Sequence, residues 1–217
     1  YPKINIDIAF VCVPTDSQAD GSCDTSIVEK TIKKCNAEII VIKSAIPVGT
    51  AEYLEKKHKK RIVVSPEYYG TTQHSDNSPN FLILGGDIKD CVKVAQIYYT
   101  IKNGKFRIIY TTSKVAEIAK YMENCFLALK VTFCNEFATV ASEYDIPYEL
   151  LREVFIMDER MGDSHTFVLE NQKFYNSHCL NKDIPAFLNI ANGKAPLIEK
   201  MYEINKERKK NTNYNLN

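Results

Sequence analysis

The sequence predicts an α/β fold: a partial doubly wound parallel sheet, followed by a long helix and an all-helical central region. Three observations predict it. Short β-branched runs alternate with helical ones up to about residue 112, residues 114–144 contain neither Gly nor Pro, and the segments beyond them read as helices around one polar loop.

The runs at 7–13 (DIAFVCV), 38–44 (EIIVIKS), 61–65 (RIVVS), 81–85 (FLILG) and 107–110 (RIIY) are nearly continuous in apolar character, as strands covered on both faces should be. Between them, residues 25–36, 50–59 and 87–101 have helical spacing, with Thr50 and Asp87 at plausible N-termini. Over 114–144, Val115, Ile118, Ala119, Met122, Phe126, Leu129, Phe133, Phe137 and Val140 recur at steps of three and four, which predicts one continuous helix. A helix over 147–156 begins at Pro147, a loop-rich stretch runs over 158–181, and two helices start near Asp183 and Ala195. The Asn-rich end, 211–217, is expected to be disordered. Domains are therefore placed at 1–112 and 113–210.

Composition bounds the function. With 217 residues, 45% of them hydrophobic, the chain can bury a sizeable core. The 28 basic and 27 acidic residues leave a net charge of +1, so no overall field favours nucleic acid. No uninterrupted apolar run approaches the ~20 residues that span a bilayer, and no signal-peptide pattern opens the chain, so a soluble, cytoplasmic protein with no membrane partner is expected. Seven cysteines without CxxC or close Cys/His spacing argue for a reducing compartment and against a zinc site. Cys12, Cys35, Cys91, Cys125 and Cys134 sit in apolar or helical patterns and read as core residues.

Five collinear segments carry a resemblance: VCVPTD (11–16), IKSAIPVGT (42–50), SPEYYG (65–70), AKYMENCFLALKVTFCNE (119–136) and HCLNKD (178–183), with MDERMG (157–162) before the last. In order and spacing they resemble the UDP-glucose/GDP-mannose dehydrogenase family over nearly the whole chain. The resemblance implies a Rossmann-like NAD-binding domain, a central helical domain that dimerises, and a nucleotide-sugar substrate such as UDP-glucose. The G-x-G-x-x-G turn that receives a cofactor's pyrophosphate is not in these residues. A nucleotide-sugar-binding domain after the helices is not there either, so the 217 residues alone are not expected to turn over substrate.

The implied reaction oxidises a sugar's primary alcohol to a carboxylate, a four-electron change that takes two hydride transfers to NAD with an aldehyde between them. A thiolate retains the aldehyde as a thiohemiacetal; loss of the second hydride gives a thioester, which water hydrolyses. The resemblance assigns the nucleophile to Cys179, read as lying in a polar loop just ahead of a helix start, where the helix N-terminus and Lys182 supply the positive field a thiolate needs. Adjacent His178 reads as loop structure. Lys120 and Asn124, one turn apart on the long helix, match the family's charge-stabilising lysine and the asparagine that holds a water or substrate group. Asp183 matches a general base and Glu67 a carboxylate facing the reacting carbon. Pro14, Thr15 and Ser44 close strands on the cofactor's side. Arg160 and Tyr175 are assigned to substrate, with Arg160 reaching it from the neighbouring subunit of a homodimer built on the 114–144 helix, whose apolar positions wrap around more than one face.

Some positions depart from the family pattern. Ala45 stands where a threonine usually follows Ser44, Asn176 and Ser177 replace the Gly-Gly before the nucleophile, and Gly70, Thr71 and Thr72 replace a loop with a second acidic residue. They keep a rival reading open, a catalytically inactive dimerisation module. A β-hydroxyacid-type dehydrogenase on the same fold would work by lysine without Cys179.

Overall fold

The computed structural model describes residues 6–71, 76, 77, 79–102 and 106–211. The elements run β1 (Ile6–Val11), α1 (Ser26–Lys34), β2 (Ala37–Ile42), α2 (Thr50–His58), β3 (Arg61–Val64), β4 (Gly70–Thr71), β5 (Asp76–Asn77), β6 (Phe81–Gly85), α3 (Ile88–Lys102), β7 (Arg107–Thr111), α4 (Ser113–Ser142), α5 (Tyr148–Phe155), α6 (His178–Ala191) and α7 (Pro196–Asn211). They form two compact units, Tyr1–Tyr69 with Asn77–Met122, and Gly70–Asp76 with Glu123–Asn217. The division falls within α4, ten residues beyond the boundary placed at 112. Of the expected disordered end, residues 212–217 lie outside the described residues, as does Thr72.

The first unit is the α/β part. Its five-stranded sheet has the order β1-β2-β3-β6-β7, and β1·β2, β2·β3 and β6·β7 are parallel while β3·β6 is antiparallel. The fold class is as expected, with a mixed rather than wholly parallel sheet. Parallel neighbours need a long crossover, normally helical; α1, α2 and α3 supply it elsewhere, whereas no helix is seen among the described residues that join β3 to β6. Central β2 and β3 are buried on both faces; the edge strands leave Phe10, Ile109 and Tyr110 exposed, so continuous apolar character overstated their cover. Cys12, just past β1, is also exposed and not a core residue; Cys35, Cys91, Cys125 and Cys134 are buried. A side chain at Gly85 would meet Thr112 O at 2.6 Å and Ala116 Cβ at 2.7 Å, so glycine is what lets the end of β6 approach the start of α4.

Gly49 caps α2 at φ +89°, and its N–H and that of Ala51 donate to the Glu117 carboxylate at 2.6 and 2.9 Å. Two free donors of a helix N-terminus are thus met by a buried acid on α4. Burial raises the Glu117 carboxyl above its ordinary range, outweighing the two N–H groups.

The second unit is helical, with a core of Cys125, Ala128, Val131, Tyr175, Leu180, Ile184 and Met201. Along α4 the covered positions are Ser113, Ala116, Glu117, Tyr121, Asn124, Cys125, Ala128, Val131, Thr132, Cys134, Asn135 and Ala141. Of the apolar stripe read from the sequence, Val115, Ile118, Met122, Phe126, Phe133, Phe137 and Val140 are exposed. Two polar members of the buried face bond to the helix's own backbone: Thr132 donates to Ala128 O and the Asn135 amide nitrogen to Val131 O, while Asn135 Oδ1 is buried without a partner. By length and composition alone α4 could also cross a bilayer, its best stretch having a mean hydropathy of 1.2. The core helix of a soluble protein meets the same criterion, and an average over the helix tolerates the scattered polar residues that an uninterrupted run does not.

α6 corrects another boundary. It starts at His178, not near Asp183, because Ser177 is an extended N-cap whose Oγ accepts from Leu180 N–H at 3.2 Å, and Pro185 is carried inside the helix. Cys179 therefore lies in the first turn of α6 rather than in a loop ahead of it, His178 opens the helix, and Asp183 is a residue of the second turn.

Candidate functional site

In the first unit, the carboxyl ends of the parallel strands are tied together by side chains. Ser44 Oγ accepts from Val13 N–H at 3.1 Å and donates to Val13 O at 2.7 Å, while Thr15 donates to Ala45 O at 2.9 Å. Pro14 is exposed, Ser44 half-buried and Thr15 buried. Glu67 folds back on its own turn: Oε1 accepts from the N–H groups of Tyr68 and Tyr69, both at 2.9 Å, and Oε2 lies 3.5 Å from Lys43 Nζ. Lys43 also donates to Ser65 Oγ at 3.4 Å and Pro66 O at 3.5 Å. Burial pushes the Lys43 ammonium below its ordinary range, with Glu67 pulling the other way. Lys120, half-buried, sits over the Tyr68 ring at 4.5 Å, and that ring meets Phe81 edge-on at 5.0 Å.

In the second unit, a polar network lies under the exposed Cys179. Asp183, one turn further along α6 and 2% exposed, accepts from the Asn124 amide at 2.6 Å and from Lys182 Nζ at 2.6 Å. Cys179 and Asp183 are four apart and share a helix face. A charge this buried persists only when paired and hydrogen-bonded, and Asp183 is both. Cys125 nearby is pushed up to about 12, first by burial and then by the Asp183 carboxylate, so it stays a protonated core thiol.

The structure brings together Asn124 and Asp183, and holds Cys179 on the helix that presents Asp183. Lys120 is carried by the same helix as Asn124, one turn earlier. Arg160 stands apart on an exposed turn, paired with Asp158. Tyr175 is 1% exposed in the core, its backbone clamped by Asn205, and its hydroxyl finds no partner. That position argues against direct contact with substrate. Among the described residues no group of three His, Cys, Asp or Glu is placed to hold a metal. Two engaged side chains escaped the sequence reading. Lys43 and Glu117 both lie within or beside quoted motifs, and the available signal was a charge closing an apolar strand or interrupting an apolar helix.

The model of the UDP-glucose/GDP-mannose dehydrogenase family NAD-binding domain matches residues 3–103, and that of the same family's central domain matches 114–207. A UDP-glucose 6-dehydrogenase of Campylobacter jejuni is 30% identical over 217 aligned residues, covering 95% of this chain and 54% of its own length. A UDP-N-acetyl-D-mannosamine dehydrogenase of Methanocaldococcus jannaschii is 30% identical, covering 92% of this chain and 48% of its own. Among solved structures, a UDP-glucose dehydrogenase of Pyrobaculum islandicum shares the fold with a TM-score of 0.78 at 21% identity, over 93% of this chain and 50% of that one. The chain thus spans about half the length of these dehydrogenases. Matched by both domain models over nearly all of its length, the chain belongs to the UDP-glucose/GDP-mannose dehydrogenase family, whose cofactor is NAD.

Proposed function

We propose that this chain supplies the catalytic segment of an NAD-dependent nucleotide-sugar 6-dehydrogenase acting on UDP-glucose or a close analogue, in the cytoplasm, as a homodimer. The observation that carries the proposal is the buried Asn124–Asp183–Lys182 network one turn below exposed Cys179. A surface thiol has no need of a costly buried carboxylate beneath it, whereas a thiol that must add to an aldehyde and later release an acyl group to water needs a fixed acceptor and donor at hand. In this reading Cys179 holds the aldehyde, Asp183 takes and returns the proton of the attacking water, and the Asn124 amide fixes that carboxylate. Lys120, set on Tyr68, stabilises negative charge on the reacting oxygen. Glu67, whose carboxylate is already shared by Lys43 and two N–H groups, orders its own turn in the cofactor domain. Arg160 serves the neighbouring subunit's substrate. Domains are assigned as 1–112 for the cofactor and 113–210 for dimerisation and catalysis.

The residues present fit one side of NAD. A doubly wound sheet takes dinucleotides at the carboxyl ends of its parallel strands, where Pro14 and Ser44 lie open or half-open. Thr15 shapes that edge through Ala45 rather than facing outward. NAD supplies the hydride acceptor.

Selective alkylation tests the reading. Cys12 and Cys179 are both exposed. With iodoacetamide near neutral pH, Cys179 should be modified about tenfold faster than Cys12 or more, and Asn124→Ala should erase the difference. Equal rates at the two thiols would leave only the dimerisation module, which the exposed apolar face of α4 also suits.

A further inference from the structure

The 157–162 turn has an unusual division of labour between its tip and its exit. At the tip, Asp158 accepts from Arg160 N–H at 3.0 Å and from Arg160 Nε at 2.9 Å, Met161 N–H donates to Asp158 O at 2.9 Å, and the Arg160 side chain is 83% exposed. At the exit the chain reverses through Gly162 at φ +61°, and three consecutive carbonyls turn toward two cations. Lys130, from α4, donates to Met161 O at 3.1 Å and Gly162 O at 3.2 Å. Arg152, from α5, donates to Asp163 O at 3.3 Å and Thr166 Oγ1 at 2.8 Å, while its guanidinium lies 3.7 Å from the centre of the Phe167 ring.

Holding two like charges near one strip of backbone is costly. Burial lowers the Lys130 ammonium from its ordinary range, and Arg152 adds to the effect. A loop with no task could be left to water. Here the exit is fixed by an ion whose three donors on a flexible stem can cover two carbonyls at once, while the tip offers a planar guanidinium held only by an exposed acid. A surface pair of that kind is worth roughly 0–1 kcal/mol, so a phosphate or carboxylate can displace Asp158 from Arg160 at little cost.

We propose that Lys130 is a positioning residue: it fixes the exit of the 157–162 turn so that Arg160 is presented at a set place to an anionic group, the diphosphate of a nucleotide sugar. The anion's identity rests on the function proposed above; the positioning does not.

Trypsin reads the turn directly, because it cuts after Arg160. In the native chain that bond should be cut slowly. Lys130→Met keeps the stem and removes the ammonium, and should speed cleavage after Arg160 by about tenfold with the helical circular dichroism unchanged. Lys130→Arg, which can still donate to two carbonyls, should restore most of the protection. An unchanged rate in folded Lys130→Met would overturn the proposal. Should that variant not fold, the wild-type chain decides: scalar couplings across the hydrogen bonds, from Lys130 Nζ to the carbonyl carbons of Met161 and Gly162, are expected, and their absence overturns it. Loss of the substrate role of Arg160 would leave both readouts standing, so the two claims fail separately.

Discussion

α4 has one face that the chain covers and one that it leaves open, and the chemistry of the two is inverted. The covered face carries Glu117, Asn124, Thr132 and Asn135 among apolar residues such as Ala116, Tyr121, Ala128 and Val131, whereas Met122, Phe126, Phe133 and Phe137 lie open. An ordinary surface helix buries its apolar stripe and solvates the rest. Inside the chain α4 is a scaffold for polar contacts, and its open face is an apolar surface of the kind that the homodimer proposed above would cover. Polar changes on the covered face should therefore harm the fold, and polar changes on the open face should harm assembly alone.

The largest effect is expected where the covered face meets α6. Asp183→Ala takes the carboxylate away from the Asn124 amide and a half-buried ammonium, and breaking a buried ion pair by removing one partner costs about 3–5 kcal/mol. Urea unfolding should show that loss, with Asp183→Asn losing less because its shape and one acceptor remain. A cost under about 1 kcal/mol would mean that the network does not hold α6, and the contrast between the two faces would be broken on its polar side.

Next comes the open face. Phe126, 59% exposed, and Phe137 are ready to be covered. The double variant Phe126→Asp, Phe137→Asp should weaken self-association by about a hundredfold, near 2.8 kcal/mol, while leaving monomer unfolding almost unchanged. Sedimentation across micromolar concentrations measures it. A wild-type chain that stays monomeric there removes the assembly half of the comparison.

Much of this was legible in the residues, and the exceptions share a cause. The strands at 38–44, 61–65 and 81–85 and the helix over 114–144 were found nearly in place because short apolar runs and three-four spacing report local geometry. Periodicity cannot say which partner covers a face, so the α4 stripe was seen but not that it is the open one. Cys12 was misplaced because a run's apolar character says nothing about where its strand stops. The start of α6 was missed because Pro185 is a strong breaker signal, while Ser177 acts through a single side-chain bond to the backbone. Of the site, Asn124 and Asp183 were named by motif, but their hydrogen bond needs two segments 59 residues apart. Lys43 and Glu117 likewise owe their roles to contacts distant in sequence.

The smallest expected effect, and the sharpest, concerns Glu117 on the covered face. Its carboxylate is held by two N–H donors, which favour the charged form, yet burial prevails and raises its carboxyl above the ordinary value. A group whose pKa is raised on folding binds more protons in the folded state between the unfolded and folded values. Its contribution is then fully present below the unfolded value and is lost as pH rises through the folded one. Other acids titrate in the same range, so the difference between wild type and Glu117→Gln isolates the group. Gln is uncharged throughout and turns an amide N–H toward a backbone donor, so it should destabilise overall by about 1–3 kcal/mol, as for a spoiled buried hydrogen bond. On that offset, the penalty should be larger at acidic pH and shrink as pH rises through the window above the carboxyl's ordinary value, with a slope no steeper than about 1.4 kcal/mol per pH unit. Unfolding in urea at successive pH values gives the slope. A penalty that grows with pH would show that the two N–H groups of the α2 N-terminus outweigh burial, making Glu117 a charged clamp rather than a strained one.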